Sequence, residues 1–233
     1  MKGKFGKSLP ASLFLVTLLI MLFATAAQAD NLVINGDFTS GNSGFNSAYG
    51  YVLPSSSAGP ASGGLYTITS PSTVGTATFW GWSAPVSNGI TGNVLLANGA
   101  SGLNGVAPLS TLWTETVSVT ANTNYVFSFY LAAVDGWAYA NILPSINSTN
   151  GLDLVASQAS WQQGSMIWNS GSNTSATLTL SDLNTNEVNN DFVIANISMS
   201  STSPSPTPEP TSILLLGSGI VGLVGLARRR FCI

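Results

Sequence analysis

"SATLTLSDLNTNEVNNDFVIANISMS", residues 175–200, decides the fold class. Ala176, Leu178 and Leu180 fall on one side of an extended chain, with Thr177 and Thr179 on the other. That is the period-two pattern of a strand with one dry and one wet face. An Asn- and Asp-rich interruption follows, and a second apolar run begins at Asp191. The same short alternation, punctuated by Gly, Asn, Ser and Pro clusters, extends back to residue 30, and no helical period appears. Candidate strands are 31–35, 65–69, 76–82, 93–97, 111–120, 124–133, 152–157, 165–168, 174–180 and 191–199. Ten short strands predict an all-β domain over 30–199, a two-sheet antiparallel jelly-roll β-sandwich.

Charge narrows what this domain can do. Only 6% of the 233 residues are charged, and the cations Lys2, Lys4, Lys7, Arg228, Arg229 and Arg230 all lie at the ends. Eight of the nine acids, all but Glu209, lie between residues 30 and 203. A domain without cations and with eight negative charges repels phosphates, so nucleic-acid binding and phosphoryl transfer are not expected. The one cysteine, Cys232, lies beyond the domain, so stability must come from an apolar core without disulfides.

The ends read as addresses. Residues 1–29 combine a basic start, an apolar run over 13–23 and the small-residue site Ala27-Gln28-Ala29, a signal peptide cleaved before Asp30. A Ser/Thr/Pro linker over 200–207 is followed by Pro208-Glu209-Pro210 and an uncharged apolar run over about 213–227. Arg228, Arg229 and Arg230 then close the chain as a stop signal, predicting a transmembrane helix with its C-terminus inside and the domain outside.

Residues 208–233 resemble the PEP-CTERM sorting signal of Gram-negative bacteria: the tripeptide, a short glycine-containing apolar helix and a terminal Arg cluster occur in the required order. The resemblance implies an exported protein, anchored transiently in the membrane and recognised at Pro208-Glu209-Pro210 by exosortase. It would then be released or transferred to the cell surface and its exopolysaccharide, as in a biofilm. "NLVINGDF" at 31–38, "TETVSVTANTNYVFSFYLA" at 114–132 and the opening stretch resemble carbohydrate-binding-module-like, galactose-binding-like β-sandwiches. Such sandwiches often hold a structural calcium ion, which would map onto Asn35, Asp37 and Asp191. The chain departs from the pattern at Thr39 and at Ala195-Asn196, where acids are usual. No other cofactor is expected.

Chemistry within the domain is narrow. No His, Lys or Cys is present to activate a serine, so the chain is expected not to be an enzyme. Two-carboxylate glycoside hydrolysis, open in principle to the interior acids Asp37, Glu115, Asp135, Asp153, Asp182, Glu187 and Asp191 but with no motif pairing any two, is the less favoured alternative. An EF-hand reading of 182–193 fails, because Glu187 and Val193 stand where glycine and glutamate are needed. Aromatic rings stack on sugar C–H faces without needing charge, which makes Trp137, Tyr139, Trp80 and Trp82 candidate ligand residues; core packing is the competing reading for each. The expected function is a non-enzymatic cell-surface or matrix protein associated with exopolysaccharide, with a carbohydrate-binding module of defined glycan ligand as the alternative. Edge strands without lysine also make self-association through an edge an expectation.

Overall fold

The computed structural model describes residues 30–54, 59–74, 89–99, 110–134, 139–156, 160–184 and 190–202. The signal segment, the 76–82 strand with Trp80 and Trp82, Trp137, Glu187, Pro208-Glu209-Pro210, the 213–227 helix and Arg228, Arg229 and Arg230 lie outside the described residues. Chain contacts separate one compact unit, Ala29–Ser203, from the terminal segments Met1–Gln28 and Pro204–Ile233. Among the described residues no helix is long and apolar enough to cross a membrane.

Eleven strands are described: β1 Gly50–Tyr51, β2 Leu65–Thr69, β3 Val94–Asn98, β4 Thr111–Ser118, β5 Asn124–Ala133, β6 Ala140–Ile146, β7 Thr149–Asn150, β8 Leu154–Ala156, β9 Gln162–Asn169, β10 Ser175–Asp182 and β11 Asp191–Ser201. One short helix, α1 Pro71–Val74, follows β2. The strands form two sheets, one ordered β1-β2-β3-β11-β5-β9, the other β4-β10-β6-β7 with β8 also on β6. Every pairing is antiparallel except β1 with β2, which is parallel and departs from the all-antiparallel expectation.

Alternation places the main core between the sheets. Trp113 and Val117 of β4, Phe127, Phe129 and Leu131 of β5, Leu178 and Leu180 of β10 and Phe192 and Ile194 of β11 share one buried cluster. Burying a large apolar side chain contributes about 1.5–3 kcal/mol, so this cluster supplies what disulfides do not. A second cluster lies on the outer face of the six-stranded sheet, where Val94, Leu96, Ala132, Val134, Val193 and Ala195 meet Val74 of α1 and Ile90. The faces follow from period-two: Leu95 and Leu131 point into the first cluster while Leu96 and Ala132 point into the second.

The expected first strand, 31–35, is instead a turn fastened to β11. Leu32 donates its N–H to the Met199 carbonyl at 2.8 Å, and Met199 donates to Asn31 Oδ1 at 2.9 Å. Asn35 takes a left-handed φ of 58°, which ends any extended run. The unexpected β6 contains Pro144, whose carbonyl accepts from Gly151 on the side where β7 and β8 leave a gap. The missing proline N–H faces that gap, so no ladder bond is lost. Asn147 and Ser148, with φ of 47° and 65°, form the two-residue turn from β6 to β7.

Candidate functional site

Three strands of the six-stranded sheet, β9, β5 and β11, carry an outward face that is polar, partly aromatic and without exposed charge. Ser165 of β9, Ser128 of β5 and Ser198 of β11 stand opposite one another in register. Ser128 and Ser198 share a hydroxyl hydrogen bond of 2.9 Å. Next along β5, Tyr130 pairs with Gln163, and Trp161, just before β9, packs with Tyr130 against the second apolar cluster. On the other side of the serine row, Val126 pairs with Ile167, which is 73% exposed. With strands about 4.8 Å apart, the row spans about 10 Å.

Both rings are half-buried. The indole Nε1–H of Trp161 is enclosed and has no acceptor among the described residues. A face built of ring surfaces, hydroxyls and an amide can hold a neutral polyhydroxylated molecule; it offers no ionic contact. Neither Tyr130 nor Trp161 stands among the residues singled out from sequence, since Tyr130's place opposite Gln163 is visible only through the β5–β9 register.

The residues singled out from sequence are placed as follows. Tyr139 is 66% exposed just before β6, its carbonyl accepting from Asn184 Nδ2 at 2.8 Å. Asn35 and Asp37 share one turn and are engaged within it. Asn35 Nδ2 donates to the Gly41 and Ser43 carbonyls, and its Oδ1 accepts from Ser40. Asp37 Oδ1 accepts from the Thr39 N–H and hydroxyl. Asp37's carbonyl accepts from Asn93, just before β3, whereas buried Asp191 pairs with Asn98 at the far end of that strand. Five strand residues put about 17 Å between those positions, so the structure does not gather the three. Among the described residues no group of three or more acid, Cys or His side chains could hold a metal ion.

Glu115 is buried at 6% exposure, its Oε1 accepting from Ile34 N–H at 2.8 Å and its Oε2 lacking a hydrogen-bond partner among the described residues. Burial pushes its carboxyl above the ordinary range, the Ile34 hydrogen bond opposing that shift. The outer face of the other sheet is a second uncharged surface. Thr116 and Thr177 hydroxyls meet there at 3.0 Å beside an open depression of about 690 Å³ lined by Ser145, Asn147, Ser148, Asn150, Thr177 and Thr179. Asn147 is occupied by its own turn, donating to the Ser175 carbonyl and accepting from Thr177 N–H.

Residues 206–230 match the PEP-CTERM protein-sorting motif. That motif marks exported proteins handled by exosortase at the membrane. No curated protein matches the chain. Among solved structures the chain is similar to the Stig cyclase Fisc from Fischerella sp. TAU at 10% identity, covering 76% of this chain and all of that one, with a TM-score of 0.50. It is also similar to the tandem CBM22-1–CBM22-2 domain of Paenibacillus barcinonensis Xyn10C at 12% identity, over 80% of this chain and 49% of that one, TM-score 0.47. A third is TmCBM61 in complex with β-1,4-galactotriose, at 10% identity over 74% and 99%, TM-score 0.44. At these identities the likeness is one of fold.

Proposed function

We propose that this chain is a non-enzymatic exported protein, sorted by exosortase through its PEP-CTERM tail, whose β-sandwich holds a neutral polysaccharide of the cell-surface matrix. The observation that carries the binding half is the uncharged outer face of β9, β5 and β11, where Tyr130 and Trp161 adjoin Gln163 and the serine row. Sugars present both C–H faces and hydroxyls, and this face offers rings for the first and hydroxyl and amide groups for the second. A matrix of neutral glycan would not be repelled by a domain of net negative charge, as an anionic polymer would be.

The strand order supports reading the sandwich as a jelly roll. From β3 onward the order β3-β11-β5-β9 in one sheet faces β4-β10-β6-β8 in the other, with the chain crossing repeatedly between them. The non-enzymatic reading draws support from Glu115, whose oxygen is tied to the Ile34 backbone inside the sandwich.

Two measurements test the proposal. Intact mass of the protein collected outside the cell should lack both the first 29 residues and the apolar tail; an unprocessed tail in that material would refute exosortase handling. Affinity electrophoresis in gels containing neutral polysaccharides should retard the domain. Equal migration in every neutral glycan gel, or turnover of the glycan, would refute the binding reading.

A further inference from the structure

Among the described residues β9 is the last strand of its sheet and pairs only with β5. The phase of that ladder shows which of its backbone groups are left over. Asn124 of β5 accepts from Thr202, on the β11 side, at 2.9 Å. Residues of an antiparallel strand alternate between their two neighbours, so Asn124 and every second residue of β5 bond β11. Their register partners in β9, Asn169, Ile167, Ser165 and Gln163, therefore turn their N–H and C=O groups away from β5. Among the described residues nothing bonds those groups.

Edges of this kind are normally blunted by lysine, proline, a bulge or shortness. β9 reads Gln-Gln-Gly-Ser-Met-Ile-Trp-Asn, eight residues in unbroken register with β5, without charge or proline. The other edges are better protected. β1 and β7 have two residues each and β8 three, and β4 is partly covered where Asn46 and Ala48 bond Thr114 and Thr111. β9 is thus the longest uncovered edge among the described residues.

We propose that this edge joins two copies of the chain, β9 running antiparallel to β9 about a two-fold axis, so that the two six-stranded sheets become continuous. A second copy is the fitting occupant because its own longest open edge is the same strand. An antiparallel pair related by a two-fold axis matches each outward donor with an acceptor. Pairing also covers Ile167, exposed at 73% beside the edge. The eight acids of each copy oppose approach at long range, so salt strengthens this dimer, whereas it would weaken one held by ion pairs.

Sedimentation velocity on the 29–203 unit, which carries its own core, over a hundredfold concentration range tests this without any glycan. A monomer–dimer equilibrium that tightens with salt is expected. Ile167→Lys, which sets like charges near each other across the axis, should weaken it about tenfold or more. Ser165→Pro removes an outward N–H that the β5 ladder does not use, and should act in the same direction. Leu53→Lys, at a comparably exposed apolar residue (80%) just after β1 at the opposite end of the sheet, should leave it unchanged. A monomer throughout, a dimer indifferent to both β9 variants, or equal loss with Leu53→Lys would overturn the proposal. Circular dichroism and melting of each variant establish that the fold is retained, and a glycan-binding failure with the dimer intact would bear only on the polysaccharide reading.

Discussion

Tyr49 and Asp182, 133 positions apart, meet in the interior: the tyrosine hydroxyl donates to Asp182 Oδ2 at 2.9 Å. The same carboxyl accepts from Asn190 Nδ2 at 2.8 Å and, through Oδ1, from the Asn184 N–H at 2.9 Å. Asp182 is fully buried at the end of β10, so this set of donors fastens the segment before β1 and the stretch leading into β11 to one sheet end. Removing one donor should cost about 1–3 kcal/mol. Tyr49→Phe is therefore expected to lower the urea midpoint with an unchanged slope, and Asp182→Ala, which strands several donors at once, to lower it further.

Glu115 gives the domain a pH dependence of known sign. Its carboxyl is raised by burial in the fold, so the folded state holds that proton more tightly than the unfolded chain. The resulting stabilisation is fully present below the unfolded value, about 4.3, and is lost as pH rises through the raised folded value. Glu115→Gln removes this titration and supplies a neutral acceptor for Ile34 N–H. The stability of the native protein relative to Glu115→Gln should be highest in acid and fall toward neutral pH, read from denaturation midpoints across that range. A difference that is flat with pH, or rises with it, would contradict the assignment.

How far the fold could be read in advance depends on where the deciding information lies. β10 was legible because Ala176, Leu178 and Leu180 carry the two-residue period themselves. β6 was not, because Pro144 argues against a strand until the gap between β7 and β8 is known. The 31–35 segment is apolar enough for a strand, yet Asn31 and Asn35 use their side chains to bond the backbone and convert it into a turn. The candidate site fared similarly. Trp168 packs in the inner core beside Tyr125, as its strand position suggested, while Trp161, seven residues earlier, lies on the opposite face. A tryptophan's face depends on the strand's phase, and neither the phase nor the Tyr130–Gln163 pairing is local information.

Gly36 and Gly164 are glycines by close approach. A Cβ on Gly36 would run into the Ile197 carbonyl, which itself lies beside the bond from Ile197 N–H to the Gly36 carbonyl. A Cβ on Gly164 would stand 2.6 Å from the ring of Phe129, a fully buried core residue. Overpacking of this kind costs about 1–3 kcal/mol. Gly164→Ala should destabilise by that amount, and adding Phe129→Leu should give a pair less destabilised than the sum of the two single changes. Gly36→Ala, whose obstacle is backbone and cannot rotate aside, should cost more than Gly164→Ala in the same thermal or urea measurement.

The glycan reading stands on two rings whose loss should be felt differently. Tyr130 and Trp161 both rest on the second apolar cluster, so truncating either to alanine removes packing as well as ligand contact. Conservative changes separate the two effects. Trp161→Phe keeps a ring on the cluster, deletes an enclosed Nε1–H with no acceptor among the described residues and leaves a smaller ring face for a sugar, so stability should hold or rise slightly while affinity for neutral polysaccharide falls. Gln163→Ala alters an exposed residue of β9 and should weaken binding with a stability change within about 0.5 kcal/mol. Tyr139→Ala, exposed at the start of β6 on the other sheet, serves as the comparison and should leave retardation in polysaccharide gels as it was. If Tyr139→Ala abolished retardation and Trp161→Phe and Gln163→Ala did not, the ligand would belong to the loop end of the sandwich and the face of β9, β5 and β11 would be solvent surface.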